Sequence, residues 1–117
     1  DAAAAALRAY IRSFRVSCYD ETAKKGLLRH LYVRTNAAGE SLICVLGNGD
    51  GAPYENELVT MLREAVPKAV GIVWGVNRKV GNVILGEEYR TLWGEDTLVD
   101  TLCGLRFRLS VPSFLYY

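Results

Sequence analysis

Asn77, Arg78 and Lys79, with Gly81 and Asn82 close behind, gather two amides, two cations and a glycine into one short stretch. Glycine takes positive φ freely and asparagine tolerates it, so a tight turn of this makeup presents N–H groups, amides and positive charge together. Phosphate or carboxylate would suit such a place. The plain alternative is a hairpin loop with solvated charges. A second basic group, Lys24, Lys25 and Arg29, surrounds the start of an apolar run. Arg29 and His30 are adjacent, so on a strand they point to opposite faces and only one can serve a given site. His30 is the single histidine. With no second imidazole for a relay, a structural partner such as a backbone group or carboxylate is its simpler role.

Other candidates are weaker. Cys18, Cys44 and Cys103 are an odd number without a C-x-x-C pair, which disfavours a zinc site or a disulfide framework and suggests a reducing cytoplasm. Cys44 lies in an apolar run and reads as a small buried hydrophobe. Gly47-Asn48-Gly49-Asp50-Gly51 is glycine-rich but lacks the phosphate-loop pattern. Asp100-Thr101-Leu102-Cys103-Gly104 resembles the start of an adenosylmethionine-binding loop. Arg106, however, holds the second glycine's position, and a strand follows where a helix should begin. Glu87-Glu88 and Glu95-Asp96 read as solvated turn charges. The residues alone offer no nucleophile, metal cage or phosphate loop.

The elements that must position these groups follow from periodicity. Ala2 to Val16 is predicted helical, capped by Asp1, with Leu7, Tyr10, Ile11 and Phe14 as its apolar stripe and Arg8, Arg12 and Arg15 on a solvated face. Strands are expected at Leu27–Thr35 and Glu40–Leu46, the second covered on both faces. A helix from Pro53 to about Val66 buries Leu58, Met61, Leu62 and Ala65, and Ala69–Val76 is the next strand. Short strands follow around Asn82–Leu85, Tyr89–Trp93, Thr97–Thr101 and Leu105–Leu109. In the last, Leu105, Phe107 and Leu109 face one way and Arg106 and Arg108 the other. The fold expected is α+β: a ferredoxin-like layer (helix-strand-strand-helix-strand) over residues 1–80, then a small antiparallel β extension over 81–117.

The chain has 117 residues, half of them hydrophobic and 23% charged, and a formal net charge of +1. That fits one domain or domain fragment, below the usual size of a complete enzyme. It gives no global electrostatic case for nucleic acid, so any such case rests on local clusters. No apolar run is long enough to cross a bilayer. The chain reads as a piece of something longer.

Several stretches in order resemble one family: Tyr19-Asp20-Glu21-Thr22, Lys25 to Leu31, Gly39-Glu40, Asn77-Arg78-Lys79 with Asn82 to Gly86, Leu92-Trp93-Gly94, Asp100-Thr101, Gly104 to Phe107, and Ser110-x-x-Ser113-Phe114. They are similar to the adenosylmethionine-dependent RNA uracil-C5 methyltransferases, the type that makes 5-methyluridine in 23S ribosomal RNA. The resemblance runs from Tyr19 onward and implies the central domain plus the lead-in to a missing methyltransferase domain. It also implies a parent enzyme that uses S-adenosylmethionine and can carry a 4Fe-4S cluster, neither held by this chain. The parent's catalytic cysteine would lie downstream, so no catalytic residue is assigned here. The resemblance implies a partner, ribosomal RNA, with no DNA or membrane. RNA contact is expected from Lys24, Lys25, Arg29, Asn77, Arg78, Lys79 and Arg106, with Phe114 near the target base, where an aromatic face could stack on an extruded uracil. Arg78 stands where the family has proline, and Tyr116 where it has glutamine. The competing expectation is a stand-alone ferredoxin-like interaction or dimerisation module without activity.

Overall fold

The structure, a computed structural model, describes residues 1–20, 22–76 and 88–111. Helix α1 is Ala2–Phe14, started by the Asp1 carboxylate, which accepts the Ala4 N–H at 2.8 Å, and ended by Arg15 in the left-handed region. Then come β1 (Leu28–Thr35), β2 (Ser41–Gly47), α2 (Glu55–Ala65), β3 (Ala69–Val76), β4 (Glu88–Gly94), β5 (Thr97–Leu102) and β6 (Leu105–Ser110). The strand expected near Asn82–Leu85 lies outside the described residues.

The fold is α+β, with a main sheet in the order β1-β2-β3-β4 and a separate β5-β6 hairpin. Among the described strands, only β2 and β3 run parallel, joined through α2. They are hydrogen-bonded neighbours, so no strand stands between them where a split ferredoxin-like layer would have one. Glu88–Gly94, expected in the β extension, pairs instead with β3 and completes the main sheet.

β2 is buried along its whole length, as its apolar run predicts. Its alternate residues feed two cores. Ile43 and Val45, with Ile72, Trp74 and Val76 of β3, pack on the helix side against Tyr10, Leu58 and Leu62. Leu42, Cys44 and Leu46, with Val73, pack on the other side near Leu98 and Val111. In α1 the buried positions are Ala3, Ala6 and Tyr10, while Leu7, Ile11 and Phe14 are only partly covered. The contact face is thus rotated from the predicted stripe toward small residues, which let a helix approach its neighbours closely. Pro53 precedes α2 rather than opening it, and its carbonyl accepts the Tyr10 hydroxyl at 2.5 Å. Burial, with the Glu55 charge adding to it, pushes the Tyr10 phenol up to about 12.

Candidate functional site

Register sets Leu28, Gly47, Val76 and Glu88 side by side across one end of the sheet. This is the carboxyl end of the parallel pair, the usual place for ligands on sheets with parallel strands. The loop before β1 and the loop after β2 both leave from it.

The first loop is built to present its lysines. Asp20 accepts the N–H groups of Thr22 and Ala23 on one carboxylate oxygen, at 2.9 and 3.3 Å, while its own N–H bonds the Lys25 carbonyl at 2.7 Å. The Tyr19 N–H donates to the Leu28 carbonyl, the Leu28 N–H to the Ser17 carbonyl, and Ser17 Oγ accepts the Leu27 N–H. Gly26 sits at φ 118°, and a Cβ there would fall 2.0 Å from the Cys18 carbonyl oxygen, so the loop can close only over glycine. Lys24, itself at φ 58°, and Lys25 are exposed at its tip. At its base the Arg29 guanidinium lies 4.0 Å from the centre of the Tyr19 ring. Lys24, Lys25 and Arg29 therefore share one end of the molecule. Tyr19, which the sequence marks as the start of the Tyr19–Thr22 stretch but not as a contact residue, joins them.

The second loop is held by its own protein. Trp74 Nε1 donates to the Gly49 carbonyl at 2.9 Å. Arg90 forks onto Glu55, at 3.0 Å and 2.6 Å, and also reaches the Asp50 carbonyl. A Cβ on Gly51 would meet Glu55 and Arg90 at 2.2 and 2.6 Å. The Gly49 and Asp50 carbonyls thus accept from the protein itself, and the Asn48 N–H is spent on the Leu27 carbonyl rather than left for an anion.

Asp100 also has a structural task. Its Oδ1 accepts from the Ala37 and Thr101 N–H groups, which hold its carboxyl below the usual range. Cys103 and Gly104, both with positive φ, turn β5 into β6. A tight hairpin here does not fit adenosylmethionine, whose loop must run into a helix. Cys103 is exposed on that turn, whereas Cys44 is fully buried and its thiol is pushed up to about 12 by burial. Among the described residues no group of histidines, cysteines and acids could hold a metal ion.

Arg106 is exposed on β6, opposite Thr101. Because Asp100 reaches Ala37 in the β1–β2 turn, this part of the hairpin lies toward the other end of the sheet from Lys24 and Lys25. Arg106 is thus not brought together with them. Asn77, Arg78, Lys79 and Phe114 lie outside the described residues, as does Tyr116. His30 faces Tyr32 along β1, ring centres 6.0 Å apart.

No family model matches the chain. A protein of Staphylococcus aureus (strain MRSA252), named as an uncharacterized RNA methyltransferase, is 36% identical over 109 residues, 92% of this chain and 24% of the relative. Proteins of the same name from Clostridium acetobutylicum and Clostridium tetani are 33% and 36% identical over the same shares. The crystal structure of the Pyrococcus abyssi tRNA (uracil-54, C5)-methyltransferase with S-adenosyl-L-homocysteine matches with a TM-score of 0.74 at 19% identity, over 93% of this chain and 25% of that one. The last comparison establishes the shared fold. This chain spans about a quarter of the length of the curated relatives it matches, and over 92% of its own length it is similar to these proteins named as RNA methyltransferases.

Proposed function

We propose that this chain is the RNA-facing central segment of a longer RNA 5-methyluridine methyltransferase acting on ribosomal RNA. The observation that carries this is sequence kinship with RNA methyltransferases over 92% of the chain. The basic loop at the carboxyl end of β2 and β3 supports it: Lys24 and Lys25 are exposed, and Arg29 stacks on Tyr19. In this reading the loop, with Asn77, Arg78 and Lys79, grips phosphates, and Phe114 stands near the target base. S-adenosylmethionine and the nucleophile belong to the remainder of the longer polypeptide, and the segment alone is inactive.

That remainder needs a surface to pack on. Leu102, Leu105 and Phe107 are 67%, 71% and 39% exposed and share one face of the hairpin. An apolar face of this kind, in a chain a quarter the length of its relatives, is the docking surface we assign to the methyltransferase domain.

Calorimetry on the 117-residue chain and on the longer polypeptide tests the division of labour. The expected result is adenosylmethionine binding by the longer polypeptide alone. Tight binding by this chain would overturn the assignment and return Asp100–Gly104 to the active site. Charge reversal at Arg78 and Lys79 should weaken RNA binding and flatten its salt dependence.

A further inference from the structure

The hairpin has two unlike faces. Leu98 and Leu109 are buried on one, which continues outward through Leu102, Leu105 and Phe107. The other face carries Arg106 and Arg108, opposite Thr101 and Val99. Two residues apart on one strand, these arginines stand about 7 Å from each other. That is of the order of the separation between neighbouring phosphates of one nucleic-acid strand. Both are exposed, and among the described residues neither guanidinium has an ion-pair or hydrogen-bond partner. Asp100, the acid closest to them by register, sits on the opposite face and is engaged by Ala37 and Thr101. A shallow depression of about 250 Å³ lies among Val99, Arg106, Phe107 and Arg108.

We infer that Arg106 and Arg108 form a two-point rail for the RNA backbone, with Arg108 as a contact that the sequence did not single out. The inference rests on the RNA-facing reading above and gives it a second anchor, away from the Lys24–Lys25 loop. Each planar guanidinium can fork onto phosphate oxygens. Such contacts fix the register and orientation of the RNA rather than reading its bases. Two anchors at different ends of the sheet constrain how a folded RNA lies on the protein, which one basic loop cannot do.

The test is fluorescence anisotropy of a labelled RNA stem-loop with this chain, titrated between about 50 and 200 mM salt. Arg106→Gln, Arg108→Gln and the double variant are compared with Lys24→Gln/Lys25→Gln, and circular dichroism checks folding. Each arginine substitution should weaken binding roughly fivefold and reduce the slope of log K against log salt by about 0.7–0.9. Arg108→Lys, which keeps the charge, should retain most of the affinity. Wild-type affinity and slope in a folded Arg108→Gln chain, beside a weakened Lys24→Gln/Lys25→Gln chain, would overturn the rail and leave the RNA-facing reading standing. An Arg108→Lys chain as weak as Arg108→Gln would overturn the phosphate contact. Failure of the wild-type chain to bind RNA at any salt would overturn the RNA-facing reading, and the rail with it.

Discussion

The Glu55 carboxylate meets Arg90 through both oxygens and also accepts the Ala52 N–H at 3.1 Å. The hydrogen bonds from Arg90 are the main reason its carboxyl is held below the usual range. A depressed carboxyl stabilises the fold above its unfolded pKa, and this contribution is lost as pH falls through the folded value. Glu55→Gln should therefore show a shallower loss of stability on acidification below about pH 4.3. At neutral pH it should cost about 1 kcal/mol, because the pair is half open to water. Urea titrations at several pH values measure both effects. A second residue-scale outcome concerns Gly71, where a Cβ would fall 1.7 Å from the Glu95 carbonyl oxygen. Backbone cannot yield there as a flexible side chain can, so Gly71→Ala should destabilise by about 2–3 kcal/mol or more in the same titration. Such residues show which physics a sequence displays. Asp1 as a cap and Cys44 as a buried hydrophobe were legible because their causes are local. Glu55 stands in the first turn of α2, but its partner lies 35 positions away, and no spacing rule reaches that far.

At the scale of elements, the β1–β2 turn and the hairpin are fastened by a buried amide beside the Asp100–Ala37 bond. Asn36, 8% exposed, donates to the Glu40 carboxylate at 2.9 Å and the Val99 carbonyl at 2.7 Å, and accepts the Glu40 N–H at 2.9 Å. Asn36→Ala leaves these groups without their partner and should cost about 1–3 kcal/mol. Amide exchange should quicken first in β5 and β6, with β2 and β3 unaffected. Equal acceleration in β2 would show that the amide supports the whole fold rather than the hairpin. Asn36 reads in sequence as an ordinary turn residue, since the carbonyl it reaches lies 63 positions on. The elements themselves were largely legible: β3 falls at Ala69–Val76, where periodicity put it. Pairing was less so. Short apolar runs specify that a strand forms without naming its neighbour, which is why β4 was placed in the extension and why a split layer was expected. The stripe read for α1 does pack on the core, Tyr10 fully and Leu7, Ile11 and Phe14 in part, but large apolar residues mark only part of the contact face, and close approach buries Ala3 and Ala6 as well.

For the whole molecule, the two faces of the hairpin pull in different directions. Arg106 and Arg108 are compatible with water, whereas Leu102 and Leu105 are more than half exposed and gain by being covered. In the 117-residue chain this face should bind an apolar fluorescent dye, and Leu102→Glu/Leu105→Glu should remove most of that binding. Because these side chains pack on little here, the double variant should keep the thermal stability of the parent to within about 0.5 kcal/mol. In the longer polypeptide the same substitutions should be costly, lowering its melting temperature or freeing the methyltransferase domain to move, if that domain covers the tip as proposed. Neutral behaviour in both contexts would mean that something else covers the face, or nothing does. The alternation in Leu105 to Leu109 made the two faces readable from sequence. What it could not convey is where the ribbon, a sheet of its own, is fastened, since that depends on the tether at Asn36 and Asp100, which only the folded chain assembles.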